Sequence, residues 1–220
     1  MSFVFEDLGQ IPYKKAWDYQ ISIFNDLLDK KAQGKLTENK LFFCEHPHVF
    51  TIGKSGNISN LLLSEKVLEE KGIEYFNIDR GGDITYHGPG QLVVYPLFDL
   101  DRFGIGTRDY VLKLEEIVIR TVNEYGIKSS RLDGAAGIWL DSDKPAKSRK
   151  ICAIGVRSSK RITMHGLALN VNTNLSYFNY MNPCGFTDKG VTSMQNEMNK
   201  VVDIESVKST LFKNFQIEFG

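Results

Sequence analysis

The sequence predicts an α/β protein with a mixed β-sheet flanked by helices, and not a Rossmann fold. Three observations predict it. Three segments carry apolar residues at helical spacing. Five short runs between them are rich in β-branched and aromatic residues and read as strands. The two kinds of element mix irregularly, without the strict strand–helix alternation of a doubly wound sheet.

Taken in order, Trp17, Ile21, Phe24 and Leu28 step by four, three and four, which marks one face of an amphipathic helix. Residues 41–43 read as a strand. Ser64 can cap a short helix that Gly72 ends, a hydroxyl before it and a glycine after. Residues 91–98 form the next strand. Val111, Leu114, Val118, Val122 and Tyr125 make a second helical stripe, closed by Gly126. Strands follow at 137–140, 151–156 and 166–171. Asp203 can cap a last helix carrying Ile204, Val207, Leu211 and Phe215. No repeat or low-complexity segment interrupts this order, and the 220 residues are expected to form one catalytic domain, 1–220.

Composition excludes several classes. Basic and acidic residues balance at 27 each, which argues against a general nucleic-acid binder. Hydrophobic residues, at 42%, suffice for a sizeable core. No stretch approaches the roughly 20 apolar residues of a membrane span. The start, Met1-Ser2-Phe3-Val4-Phe5-Glu6-Asp7, lacks the basic region of a secretory signal. Cys44, Cys152 and Cys184 are an odd number at wide spacing, so a reducing, cytoplasmic setting is expected and not a disulfide framework.

Residues 80–90, 159–166 and 179–190 read as loops, where sites usually sit. Residues 144–161 hold Lys144, Lys147, Arg149, Lys150, Arg157, Lys160 and Arg161 with no acidic residue. That run is either a solvated hairpin or a landing patch for an acidic partner protein.

Four patterns bear on chemistry. In Asn182-Pro183-Cys184-Gly185, proline and glycine put the cysteine in a turn. There it is either a nucleophile, given a nearby cation or base, or a small buried hydrophobe. Lys150 opens the apolar run Ile151-Cys152-Ala153-Ile154-Gly155-Val156. At the mouth of a buried strand it would be partly desolvated, lowering its pKa and letting it exchange protons; otherwise it is one more surface lysine. Arg80-Gly81-Gly82-Asp83-Ile84-Thr85-Tyr86-His87-Gly88-Pro89-Gly90 has the glycines of a binding loop but matches neither nucleotide-binding pattern. Cys44, His46 and His48 alternate, and an extended strand would gather them on one face; Pro47 interrupts it, and no metal site is expected. His165, beside Gly166, is either a base or a loop residue, and the loop reading is preferred.

Together these stretches resemble the lipoyl(octanoyl) transferase family. The resemblance runs from Glu45-His46-Pro47 and Thr51-Ile52-Gly53 through the whole of 80–91. It resumes at Lys150 to Val156 and at His165-Gly166-Leu167-Ala168-Leu169-Asn170-Val171-Asn172, and ends at Asn182-Pro183-Cys184-Gly185. It implies a fold like that of biotin and lipoate protein ligases, with no cofactor. It implies octanoyl-acyl carrier protein as donor. The acceptor would be a lysine on lipoyl domains of 2-oxoacid dehydrogenases or on the glycine cleavage H protein. Cys184 would carry the acyl group and Lys150 would be its proton partner. Arg80, Gly81, Gly82, Asp83, Ile84, Thr85, Tyr86 and His87, with Ala153, Ile154 and Gly155 and with Gly166, Leu167 and Ala168, would line the acyl and carrier site. The lysine-rich lead-in at 141–149 is longer than the family pattern and leaves that hairpin's shape open.

Such chemistry passes an acyl group from thioester to thioester, nearly balanced, and then to an amide, which is downhill, so it needs no ATP. Backbone amides near 166–168 are expected to stabilise the oxyanion. Two rivals stand beside it: an ATP-dependent lipoate or biotin ligase on the same fold, and a non-catalytic carrier-binding module using the basic run.

Overall fold

A computed structural model describes residues 2–182 and 189–220. Its first strand, β1 (Phe3–Gln10), is followed by α1 (Tyr13–Ala32), β2 (Asn39–Glu45), β3 (Val49–Ile52), α2 (Glu65–Lys71), β4 (Glu74–Asn77), β5 (Ile84–His87) and β6 (Gln91–Leu97). Then come α3 (Thr107–Glu124), β7 (Ser130–Leu132), β8 (Ala135–Leu140), β9 (Arg149–Ser159), β10 (Ile162–Asn170), β11 (Gly190–Val191), α4 (Met194–Met198) and α5 (Ile204–Phe219). The large sheet has the order β1-β2-β6-β10-β9-β8-β7, with β11 added alongside β9. A small sheet, β4-β3-β5, stands apart from it. Parallel β1–β2 and β11–β9 pairs within an otherwise antiparallel ladder make the large sheet mixed, as expected.

Each face of the large sheet buries a different helix layer. Leu92, Val94, Leu167 and Leu169 face Leu114, Ile117 and Val118 of α3 and Leu211 and Phe215 of α5. Val93, Tyr95 and Ala168 face Ala16, Phe24 and Leu27 of α1. The helix ends follow their caps. The Ser64 hydroxyl accepts from Val67 N, Gly72 closes α2 at φ +62, and the Asp203 carboxylate accepts from Glu205 N.

Three readings need correction. Residues 159–166 are not a loop: β9 and β10 run through them, joined by a two-residue turn, Lys160-Arg161, with φ of 47° and 63°. His165 therefore sits on a strand and is 2% exposed. Residues 80–90 are only partly loop, because β5 pairs with β3 along 84–87. The basic run is not acid-free in space. Arg149 pairs with Asp141 and Glu197, Arg157 with Asp79, and Arg161 with Asp101. Asp141 lies just before the run, while Asp79, Asp101 and Glu197 come from distant positions that a local window cannot see.

Candidate active site

Lys150 is the second residue of β9, with its side chain half-buried. Its ammonium lies 4.6 Å from the centre of the Trp139 ring and donates to the Ala136 carbonyl at 3.2 Å. Burial holds its pKa below the ordinary lysine value. From there a cavity of about 470 Å³ extends along β9 and β10. Ala153 pairs with Ala168, Ile154 with Leu167 and Gly155 with Gly166, so the two stretches expected at the site are neighbours across one ladder, and all six residues line the cavity.

The glycine-rich stretch forms the facing wall. Arg80, Gly81, Gly82, Asp83, Ile84, Thr85 and His87 line it. Gly81 N donates to Val156 O at 2.9 Å, tying this loop to β9. The buried Arg80 guanidinium donates to the Thr51 carbonyl at 2.8 Å, the Thr51 hydroxyl at 3.0 Å and the Gly81 carbonyl at 3.0 Å. A Cβ on Gly155 would lie 3.0 Å from both the Arg80 side chain and Gly81 O, so glycine is what lets the loop press on the strand. Tyr86 is the exception. It does not line the cavity; its hydroxyl meets His48 Nδ1 at 2.7 Å and its ring stacks on Tyr177 at 4.9 Å.

Several groups not assigned to the site from the sequence also line the cavity: Tyr13 and Tyr95, outside the family's motifs, and Gln91, Asn170 and His165, within them. Gln91 donates to Tyr86 O and Asn170 Oδ1, which leaves its carbonyl to accept from His87 Nδ1 at 2.7 Å. Burial pushes His87 down to about 3, so it is neutral at pH 7. His46 donates from Nδ1 to Ile11 O and accepts at Nε2 from the Tyr95 hydroxyl, both at 2.7 Å. Tyr13 sits four residues before Trp17 on the same helical face, a signal that was there to extend. His165 Nε2 donates to Asp79 Oδ1 at 2.9 Å, and its φ of 60° is a strained value inside a strand.

Two expectations about chemistry change. Residues 166–168 form a central strand between β6 and β9, so their amides point into the ladder and are not free to hold an oxyanion. Cys44, His46 and His48 do not share a face: Cys44 Sγ lies 3.5 Å from His46 Nε2, while His48 turns to Tyr86 and Tyr177. Cys184 lies outside the described residues. Met181, three positions before it, and Lys189, five after it, both line the cavity.

Residues 12–216 match the family model of the lipoyl protein ligase A/B catalytic domain. The chain belongs to that family. Among curated relatives of this lipoyl protein ligase family member, an octanoyltransferase of Parabacteroides distasonis is 56% identical over 219 residues, spanning 100% of this chain and 99% of the relative. An octanoyltransferase of Bacteroides fragilis is 53% identical, over 96% and 95% of the two chains. Among solved structures, lipoate-protein ligase A bound with ATP superposes at TM-score 0.70 with 17% identity, over 99% of this chain and 85% of that one. Biotin protein ligase from Aquifex aeolicus in complex with biotin and ATP gives 0.54 with 13% identity, over 97% and 69%. The fold is thus the biotin/lipoate protein ligase fold. Among the described residues, no helix is long and apolar enough to cross a membrane.

Proposed function

We propose that this chain is an octanoyltransferase that moves an octanoyl group from an acyl carrier protein thioester to a lysine of a lipoyl domain, through a thioester on Cys184. One catalytic unit, residues 1–220, carries the reaction, in the cytoplasm and without a cofactor. The observation that supports this most is convergence. Lys150, the wall formed by Arg80 to Asp83, and the 153–155 and 166–168 pair meet in one cavity, and residues on both sides of Cys184 line it.

In the first half-reaction the Cys184 thiolate attacks the donor's thioester carbonyl. The tetrahedral intermediate collapses, the carbon–sulfur bond to the carrier breaks, and the Lys150 ammonium gives its proton to the leaving sulfur. In the second, the acceptor's neutral lysine amine attacks the Cys184 thioester. Neutral Lys150 takes the amine proton, the amide forms and the Cys184 thiolate leaves. A lysine held below its usual pKa by burial suits both roles. The seven carbons beyond the carbonyl contribute about 6 kcal/mol on burial at ~0.8 kcal/mol each. The acceptors implied by the family resemblance are lipoyl domains of 2-oxoacid dehydrogenases and the glycine cleavage H protein.

Purified protein mixed with octanoyl-acyl carrier protein and a lipoyl domain tests the reaction. Without ATP, the acceptor lysine is expected to gain one octanoyl mass. Transfer that requires ATP and free octanoate would instead favour a ligase.

A further inference from the structure

We propose that Asn60 is a positioning residue that latches the chain entering Cys184 onto the glycine-rich wall of the cavity. The proposal rests on Cys184 being the acyl carrier. Asn60 ends a short 3-10 turn, Ile58–Asn60, that Asn57 caps through its side chain. It is only 8% exposed, yet its two ends reach different parts of the site. Its side-chain amide donates to both carboxylate oxygens of Asp83, at 3.0 and 3.1 Å. Its carbonyl accepts from Asn182 N at 2.8 Å.

Both ends are fixed by other bonds. Asp83 Oδ1 accepts from Ile84 N at 2.6 Å, and Asp83 O accepts from Gly53 N at 3.2 Å, so the carboxylate cannot swing away. On the other side Leu62 N donates to Tyr180 O at 2.9 Å, and Leu61 bridges Met181. Residues 60–62 thus form a clip along 180–182, and the Asn60 side chain joins that clip to the loop that faces β9. Asn182 stands two positions before Cys184. The far flank is tied separately, by Gly190 N to Ser148 O and Thr192 N to Lys150 O, to the strand that bears Lys150. The described flanks before and after Cys184 are therefore tied to different walls of the cavity, and Asn60 links the flank at 180–182 to the loop.

Aspartate at 60 would set two carboxylates against each other; alanine would delete the donor while leaving the backbone bond to Asn182. Either change is expected to slow octanoyl loading of Cys184 by ten- to a hundredfold at saturating donor, the usual cost of misplacing reacting groups by an ångström. Donor half-saturation should stay within threefold. The double variant Asn60→Asp/Asp83→Asn keeps the amide–carboxylate pair with its ends exchanged, and the side-chain carbonyl introduced at position 83 could still accept from Ile84 N. It should load within threefold of wild type.

Single-turnover mass spectrometry with octanoyl-acyl carrier protein reads loading, and thermal unfolding runs beside it. Singles that load at the wild-type rate would overturn the latch, as would singles that lose donor affinity with saturated loading intact. A folded double variant as slow as Asn60→Asp would also overturn it. If a single variant fails to fold, the double variant decides: recovered loading upholds the latch, and a slow or unfolded double variant overturns it. A wild type that takes no octanoyl on Cys184 sinks the thioester reading itself, whereas a loaded wild type beside fully active Asn60 variants sinks the latch alone.

Discussion

The Lys150 ammonium stands 4.6 Å above the Trp139 ring, and both side chains reach the cavity from adjacent, paired strands, β8 and β9. Two opposing influences act on that amine. Burial lowers its pKa, while the face of the ring favours the charged form. Trp139→Leu keeps an apolar side chain but removes the ring's attraction for the cation, along with the indole's bond to Ala135 O. Its Lys150 should lose its proton more easily, so the pH profile of acyl transfer from preloaded enzyme should move to lower pH. Lys150→Arg should load octanoyl more readily than Lys150→Ala, because arginine still favours a thiolate. Both should transfer it poorly, because arginine keeps its proton. An unmoved profile in Trp139→Leu, or wild-type transfer in Lys150→Arg, would point to a base other than Lys150.

Gly166 is a packing glycine. A Cβ there would meet Val94 O at 2.2 Å and Pro96 at 2.7 Å, and the first contact is backbone in the neighbouring strand. Gly166→Ala should cost about 2 kcal/mol or more, at the upper end of overpacking changes. Urea denaturation followed by circular dichroism measures it. Wild-type stability in Gly166→Ala would mean that β6 and β10 separate more easily than their pairing suggests.

Legibility followed the range of each signal. Ser64 and Gly72 announced α2 to the residue because caps are local chemistry. Lys150 was legible because an apolar run beside a lysine is itself a statement about burial. The stretch 159–166 was harder, and most of 179–190 lies outside the described residues. Gly166 reads both as the end of a loop and as the start of the strand 166–171; it is a strand residue, and glycine stands there because β6 lies too close for a side chain. The partners of Arg149, Arg157 and Arg161 lie 8, 48, 78 and 60 positions away, at Asp141, Glu197, Asp79 and Asp101, so the run looked uncompensated. β1 was missed because it is an edge strand, mostly exposed, held by its ladder to β2 and not by a run of buried side chains. The family's motifs gathered the cavity wall correctly except at Tyr86, where the aromatic stack on His48 and Tyr177 takes the ring away from the cavity.

Acid should destabilise the protein before its carboxylates titrate. Burial depresses His46 to about 4 and His87 to about 3, against about 6.5 in the unfolded chain. The folded state therefore binds fewer protons, and the stability these groups contribute is full above pH 6.5 and lost as pH falls toward their folded values. From pH 7 to pH 5 the two together should remove roughly 4 kcal/mol, at about 1.4 kcal/mol per group per pH unit below 6.5. Denaturant unfolding at the two pH values measures the slope. His46→Gln should be less stable at pH 7 but lose about half as much on acidification. Stability that is flat or rising toward pH 5 would contradict neutral, buried histidines.

The central claim is that Cys184 carries the acyl group. The other two thiols are poor rivals, because both are fully buried, and burial pushes Cys152 up to about 12 and Cys44 higher still. The most direct measurement is intact-mass and peptide mass spectrometry after incubation with octanoyl-acyl carrier protein and no acceptor. The expected result is one octanoyl group on the Cys184 peptide, removed by hydroxylamine, absent in Cys184→Ala and retained in Cys44→Ala and Cys152→Ala. An adduct on Cys44 or Cys152, or full transfer activity in Cys184→Ala, would contradict the account.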